Sequence, residues 1–140
     1  MRARRADPAR PDPAVAAAGA GRATIAAVTV TETFFSIEVE DMQRATAFYV
    51  TALGASVLFA SAGWSSLHIA GVRLGLALNP GHPAGRTGLH FAVDDLAAAR
   101  TAIEAAGGQI LAPALEVAPG VIAAEAADTE GNAFSLTQSA

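Results

Sequence analysis

Val39-Glu40-Asp41-Met42 opens an Ala-rich run that ends at Leu53-Gly54, and 54 positions later Val93-Asp94-Asp95-Leu96 opens another that ends at Gly107-Gly108. The offset holds without a gap: Val39 falls on Val93, Asp41 on Asp95, Ala45 on Ala99, Tyr49 on Ile103 and Gly54 on Gly108. A repeat of this length is long for a solenoid unit, and two copies are too few for an array. It reads as a duplicated half-domain whose two copies close one core. A duplicated frame places a pocket between its halves, and the alternation of its strands names the side chains that line it.

Each copy reads as βαβββ. Residues 34–40 alternate as a strand, with Phe35, Ile37 and Val39 on one face and Phe34, Ser36 and Glu38 on the other. Asp41 stands where a helix cap belongs, and Met42, Ala45, Tyr49 and Ala52 recur behind it at helical spacing. Strands follow at 56–60, 65–69 and 72–78, the last two joined by a two-residue turn at Ala70-Gly71. That turn pairs Ser66 with Gly75 and His68 with Arg73, leaving Trp64, Ser66, His68, Arg73 and Gly75 opposite the helix. The second copy has a strand at 88–93, a helix capped by Asp95, and strands at 109–112, 121–127 and 132–137. An irregular crossing at Pro113 to Pro119 interrupts it, and a turn lies at Asp128-Thr129-Glu130-Gly131. Pairing across that turn sets Glu125 opposite Ser135. The expected fold is α+β: two tandem βαβββ modules forming curled mixed sheets around a cleft, helices on the outer face. Module one spans about 33–79, the linker 80–86 and module two about 87–138, within one domain from 24 to 140. Residues 24–30 are β-prone enough to add a leading strand.

The composition narrows the function. Hydrophobic residues make up 52% of the 140 and charged ones 16%, which excludes a disordered chain. No apolar run is long enough to span a bilayer. Cysteine is absent, so there is no disulfide framework and no thiolate metal site, which fits the cytoplasm. Residues 1–30 hold five Arg against two Asp, while 31–140 hold four Arg against eleven acids. The folded part is therefore a poor partner for nucleic acid and suits a cationic small molecule. Residues 1–23, rich in Arg, Ala and Pro, read as a disordered tail.

Val39-x-Asp41 with Ala47-Phe48-Tyr49 and Leu53-Gly54, Phe91-x-Val93-x-Asp95, and Asp128-x-x-Gly131 before the last strand resemble the vicinal oxygen chelate superfamily. This group holds glyoxalase I, bleomycin-resistance proteins and extradiol dioxygenases. The resemblance covers about residues 33–138 and implies the fold above and a homodimer whose clefts are completed by both subunits. In metal-dependent members, it implies His and Glu ligands at four strand positions. Here those positions are Phe34, Gly75, Gly88 and Ser135, none suited to a divalent ion. The expectation is a metal-free, bleomycin-resistance-like binder with no cofactor, sequestering or carrying an aromatic ligand that is cationic in the sharper version of the reading. Its expected contacts are Phe34, Glu38, Trp64, His68, Arg73, His90, Glu125 and Ser135.

Each of those residues also has a bland reading. Trp64 reads as core or as a stacking wall. His68 and Arg73 read as a solvated rim or as an anchor for an anionic group. Glu38 reads as an exposed edge carboxylate, and Glu125, among alanines, as a charge facing the cleft. His90 reads as a strand-bonded histidine or as a base, and His82 as exposed in the linker. The competing expectation is a lyase, isomerase or dioxygenase-like enzyme of the same superfamily, using relocated metal ligands from His68, His90 and Glu125, or acid–base chemistry by His90 and Glu125.

Overall fold

The computed structural model describes residues 25–140, so the expected tail over 1–23 lies outside the described residues. Residues 1–33 and 34–140 separate as two units, and the α+β fold belongs to the second. In the first, residues 26–33 form neither helix nor strand, and Ile25, Val28 and Val30 are exposed. The leading strand expected over 24–30 is thus not formed in its described part. β-propensity alone does not hold a strand without a paired neighbour.

β1 (Phe35–Val39) runs into α1 (Met42–Leu53). Asp41 keeps an extended backbone, and its carboxylate accepts from the Arg44 N–H at 3.0 Å, which satisfies one of the free donors of the first turn. Gly54 ends the helix at φ 67, in the left-handed region. β2 (Ser56–Ala60), β3 (Trp64–Ile69) and β4 (Val72–Leu78) complete the module. Ser66 lies opposite Gly75 and His68 opposite Arg73, as the two-residue turn dictates, with Ala70 and Gly71 both at positive φ. β1 joins parallel to β4, giving the order β1-β4-β3-β2.

β5 (Gly85–Ala92), α2 (Leu96–Ala105), β6 (Gln109–Ala118), β7 (Val121–Ala127) and β8 (Asn132–Ser139) repeat the design in the order β5-β8-β7-β6. Asp95 caps α2 through the Ala98 N–H at 3.0 Å. Ser36 pairs with Gly75 in one sheet and His90 with Ser135 in the other, so the offset read in the sequence is a structural repeat.

Two details differ from the pattern. β5 starts at Gly85, and its register slips between Arg86 and His90, where Gly88 takes φ 79. Thr87 holds this bulge, donating to the Ala133 carbonyl at 2.8 Å and accepting from the Leu89 N–H at 3.0 Å. β6 runs on through Pro113 in place of an irregular crossing. It is an edge strand and absorbs the proline with register shifts, so no ladder partner is lost in the sheet interior.

One core serves both modules. Ile37, Leu67, Leu74 and Leu76 of the first sheet share a buried cluster with Phe48 and Tyr49 of α1, Ile103 of α2, and Phe134 and Leu136 of the second sheet. The modules therefore join on the helix-bearing side of their sheets. The Phe48 ring lies 6.3 Å from that of Phe134. The Tyr49 hydroxyl donates to Asp128 at 2.7 Å, and Asn132 Nδ2 donates to the Glu38 carbonyl at 2.8 Å.

The Asp128-to-Gly131 turn is also a clamp. Glu130 accepts from the Glu40 and Asp41 N–H groups at 3.0 and 2.8 Å, from Arg44 Nε and a terminal guanidinium nitrogen at 2.8 and 3.0 Å, and from the Thr129 hydroxyl at 2.7 Å. Burial alone pushes its carboxyl upward, but the bonds from Arg44, Thr129 and the Asp41 N–H outweigh that and hold it at about 2. Burial, and then the Asp128 charge, push the Tyr49 phenol well above its ordinary range.

Candidate functional site on the open sheet faces

The face of each sheet turned away from the helices carries the residues singled out in the sequence. In the first module they form one connected corner. Trp64 lays its indole on Gly75, where a Cβ would overlap Cη2 and Cζ2, so only glycine admits the ring. The indole N–H donates to Ser66 Oγ at 3.2 Å, and Arg73 donates to the same oxygen at 3.0 Å. The Arg73 guanidinium carbon lies 3.9 Å from the centre of the Phe34 ring, a cation over a π face. Phe34 meets Trp64 edge-on at 6.1 Å. His68 is exposed on the strand beside Arg73.

The second module presents polar groups instead. His90, Ser135 and Glu125 lie side by side across β5, β8 and β7. The Ser135 hydroxyl donates to Glu125 at 2.7 Å, and His90 Nε2 lies 2.9 Å from Thr137 Oγ1. Arg86, largely exposed, stands 3.6 Å from the other oxygen of Glu125, a pair that solvent weakens. The two groups of residues stand on different sheets.

The expected site residues therefore fall into two groups. Phe34, Trp64 and Arg73 come together, with His68 alongside, and so do His90, Glu125 and Ser135. Glu38 accepts from Asn79 Nδ2 at 3.0 Å and lies across β4 from Trp64, in the same row of the sheet. His82, read as exposed, is buried: its N–H bonds the Asn79 carbonyl at 3.1 Å and the linker tucks the ring inside. Three contributors went unread. Ser66, placed on this face but not among the expected contacts, joins Trp64 to Arg73, Thr137 meets His90, and the early start of β5 brings Arg86 to Glu125. Thr87-Gly88 was the available sign of the β5 bulge, since a glycine within a strand marks one.

The duplicated βαβββ frame, with helix caps at Asp41 and Asp95, belongs to a known family. The sequence model of the glyoxalase/bleomycin resistance protein/dioxygenase superfamily matches residues 15–136. The chain belongs to this superfamily. No curated protein matches it. Among solved structures it is similar to the fosfomycin resistance protein FosX from Listeria monocytogenes, with a TM-score of 0.68 and 15% identity over 81% of this chain and 96% of that one. A glyoxalase/bleomycin resistance protein/dioxygenase family enzyme from Burkholderia phytofirmans PsJN gives 0.67 and 20% over 76% and 97%. TioX from Micromonospora sp. ML1 gives 0.61 and 18% over 78% and 100%. Identities this low speak for the fold alone. Among the described residues, no helix is long and apolar enough to cross a membrane.

A variant of the Listeria protein has been crystallised with Mn(II) and a dihydroxypropylphosphonic acid. The four strand positions that the family resemblance marks for ligands do not fit a divalent cation in this superfamily member. Phe34 carries Arg73 on its ring, Gly75 is covered by Trp64, Gly88 sits in the bulge without a side chain, and Ser135 gives its hydroxyl to Glu125. Among the described residues, no three His, Cys, Asp or Glu side chains gather as an alternative cation site.

Proposed function

We propose that this superfamily member is a cytoplasmic binding protein for a planar aromatic compound, of the bleomycin-resistance type, needing no metal. The observation that carries this reading is the aromatic corner. Phe34 stands at one of the strand positions at which the family would grip an ion and Trp64 covers Gly75 at another, both braced by Ser66 and Arg73. Stacking and apolar burial supply affinity on such a wall, and charged groups orient the guest. The open faces also call for a second copy. Phe34, Phe59 and Leu115 are all exposed, more apolar surface than a monomer ordinarily leaves in water. A homodimer in which the aromatic corner of one subunit faces the Glu125–Ser135–His90 row of the other completes each cleft. It also sets a carboxylate against a cationic guest, in keeping with the acidic balance of residues 31–140.

Titrating a panel of planar antibiotics while following Trp64 fluorescence tests the binding. Saturable quenching by at least one cationic aromatic compound, lost in Trp64→Ala, is expected; silence across the panel overturns the reading. Elemental analysis of protein purified without chelator tests the metal-free claim, and stoichiometric zinc, nickel, manganese or iron overturns it. The side-by-side placement of His90 and Glu125 favours one second reading, acid–base turnover of the bound compound. Conversion of a bound ligand, lost in His90→Gln, would establish it.

A further inference from the structure

The 54-residue offset sets Ala102 of α2 where α1 carries Phe48. The paired registers set Leu74 of β4 where β8 carries Phe134. Phe48 and Phe134 fill their half of the module junction: both are buried, and Phe48 also stands edge-on to Tyr49 at 5.1 Å. Their counterparts leave room. A cavity of about 730 Å³ opens between the modules, with Ala102 and Leu74 in its wall beside Ala98, Ala99, Leu89 and Phe91. Protein interiors are close-packed, and an apolar gap costs stability in proportion to its volume. This one falls within the range usual for small-molecule pockets, roughly 300–1,000 Å³.

The cavity is lined mainly from the helix-bearing side of the sheets, and β5, with Gly88, His90 and Ala92 at its border, is the strand it shares with the open faces. Its rim holds Asp94 and Asp95, the latter already committed through one oxygen to the Ala98 N–H. The other half of the junction shows which chemistry suits the space, since there a phenyl ring sits between helix and sheet. An acidic rim disfavours anions.

We infer that this cavity is a second binding site, separate from the open faces, for an aromatic molecule of one or two rings, neutral or carrying an amine toward the Asp94 rim. The guest supplies the ring that Ala102 lacks. 1-Naphthylamine, a two-ring fluorescent amine, is the probe, titrated into the full chain. Saturable binding at one site per chain is expected. Ala102→Phe, which restores the ring from the helix side, weakens it at least tenfold and raises the thermal midpoint. Leu74→Phe reaches the same space from the sheet and weakens binding likewise, so a fold lost in one variant leaves the other to decide. No saturable uptake, uptake indifferent to both substitutions, or a signal abolished by Trp64→Ala instead of by these two overturns the inference.

Discussion

Replacing Glu130 with Gln removes the charge on which the two modules close. Oε1 accepts from Glu40 N–H, Asp41 N–H and Arg44, while Oε2 accepts from Arg44 Nε and Thr129. Whichever oxygen becomes an amide nitrogen, at least one N–H donor then faces a donor. A carboxyl lowered from its ordinary 4.5 to about 2 carries about 3 kcal/mol at neutral pH, taking ~1.4 kcal/mol for each pH unit. The Arg44 side chain is 49% exposed, so solvent screens its share and about 2 kcal/mol remains. Because the folded carboxyl titrates below the unfolded one, this stability is complete above about pH 4.5 and is lost as pH falls toward about 2. Urea unfolding followed by far-ultraviolet circular dichroism should show Glu130→Gln weaker than the parent by about 2 kcal/mol at pH 7 and by roughly 1 kcal/mol at pH 3. A loss below about 0.5 kcal/mol at pH 7, or one of the same size at both pH values, would refute the claim that a buried charged clamp joins the modules.

The single tyrosine makes Tyr49 readable by absorbance alone. Its raised phenol favours the neutral form in the folded chain, a contribution complete below about pH 10 and lost at higher pH. Absorbance at 295 nm should therefore stay flat past pH 10 until unfolding, and tyrosinate appearing near pH 10 in folded protein contradicts the buried bond to Asp128. Tyr49→Phe should cost about 1–2 kcal/mol, since Asp128 loses a donor inside the core. Gly75→Ala forces the indole off its seat, with a red shift of Trp64 emission and a loss of about 1–3 kcal/mol; an unchanged spectrum would show that the ring does not rest there. Adding Mn(II) or Zn(II) should leave the thermal midpoint where it is, because no folded-state site rewards the ion. A rise of several degrees would contradict the reading of Phe34, Gly75, Gly88 and Ser135.

The fold was legible because its determinants are local and doubled. Asp41 and Asp95 cap their helices through bonds three residues away, and Ala70-Gly71 sets the β3–β4 register through the positive φ of a two-residue turn. Alternation from that register placed Trp64, Arg73, Glu125 and Ser135 on the open faces. Arg86 shares the parity of His90 but stayed out of view because the linker was expected to run to residue 86, whereas β5 begins at Gly85. Pro113 misled for a related reason, since whether a strand tolerates proline depends on its lying at a sheet edge, which no local window encodes.

The amino-acid order by itself determined the two βαβββ units, their caps and the face on which most strand residues stand, all consequences of spacing along one chain. Only the tertiary structure decided which faces meet. The modules join through Phe48, Tyr49, Glu130 and Asn132 on the helix side, leaving the aromatic and polar half-sites apart within the chain and an apolar cavity where α2 offers Ala102. Buried area and charge pairing between residues some 80 to 90 positions apart settle that choice, and such long-range terms leave no periodic trace for a sequence reader to follow.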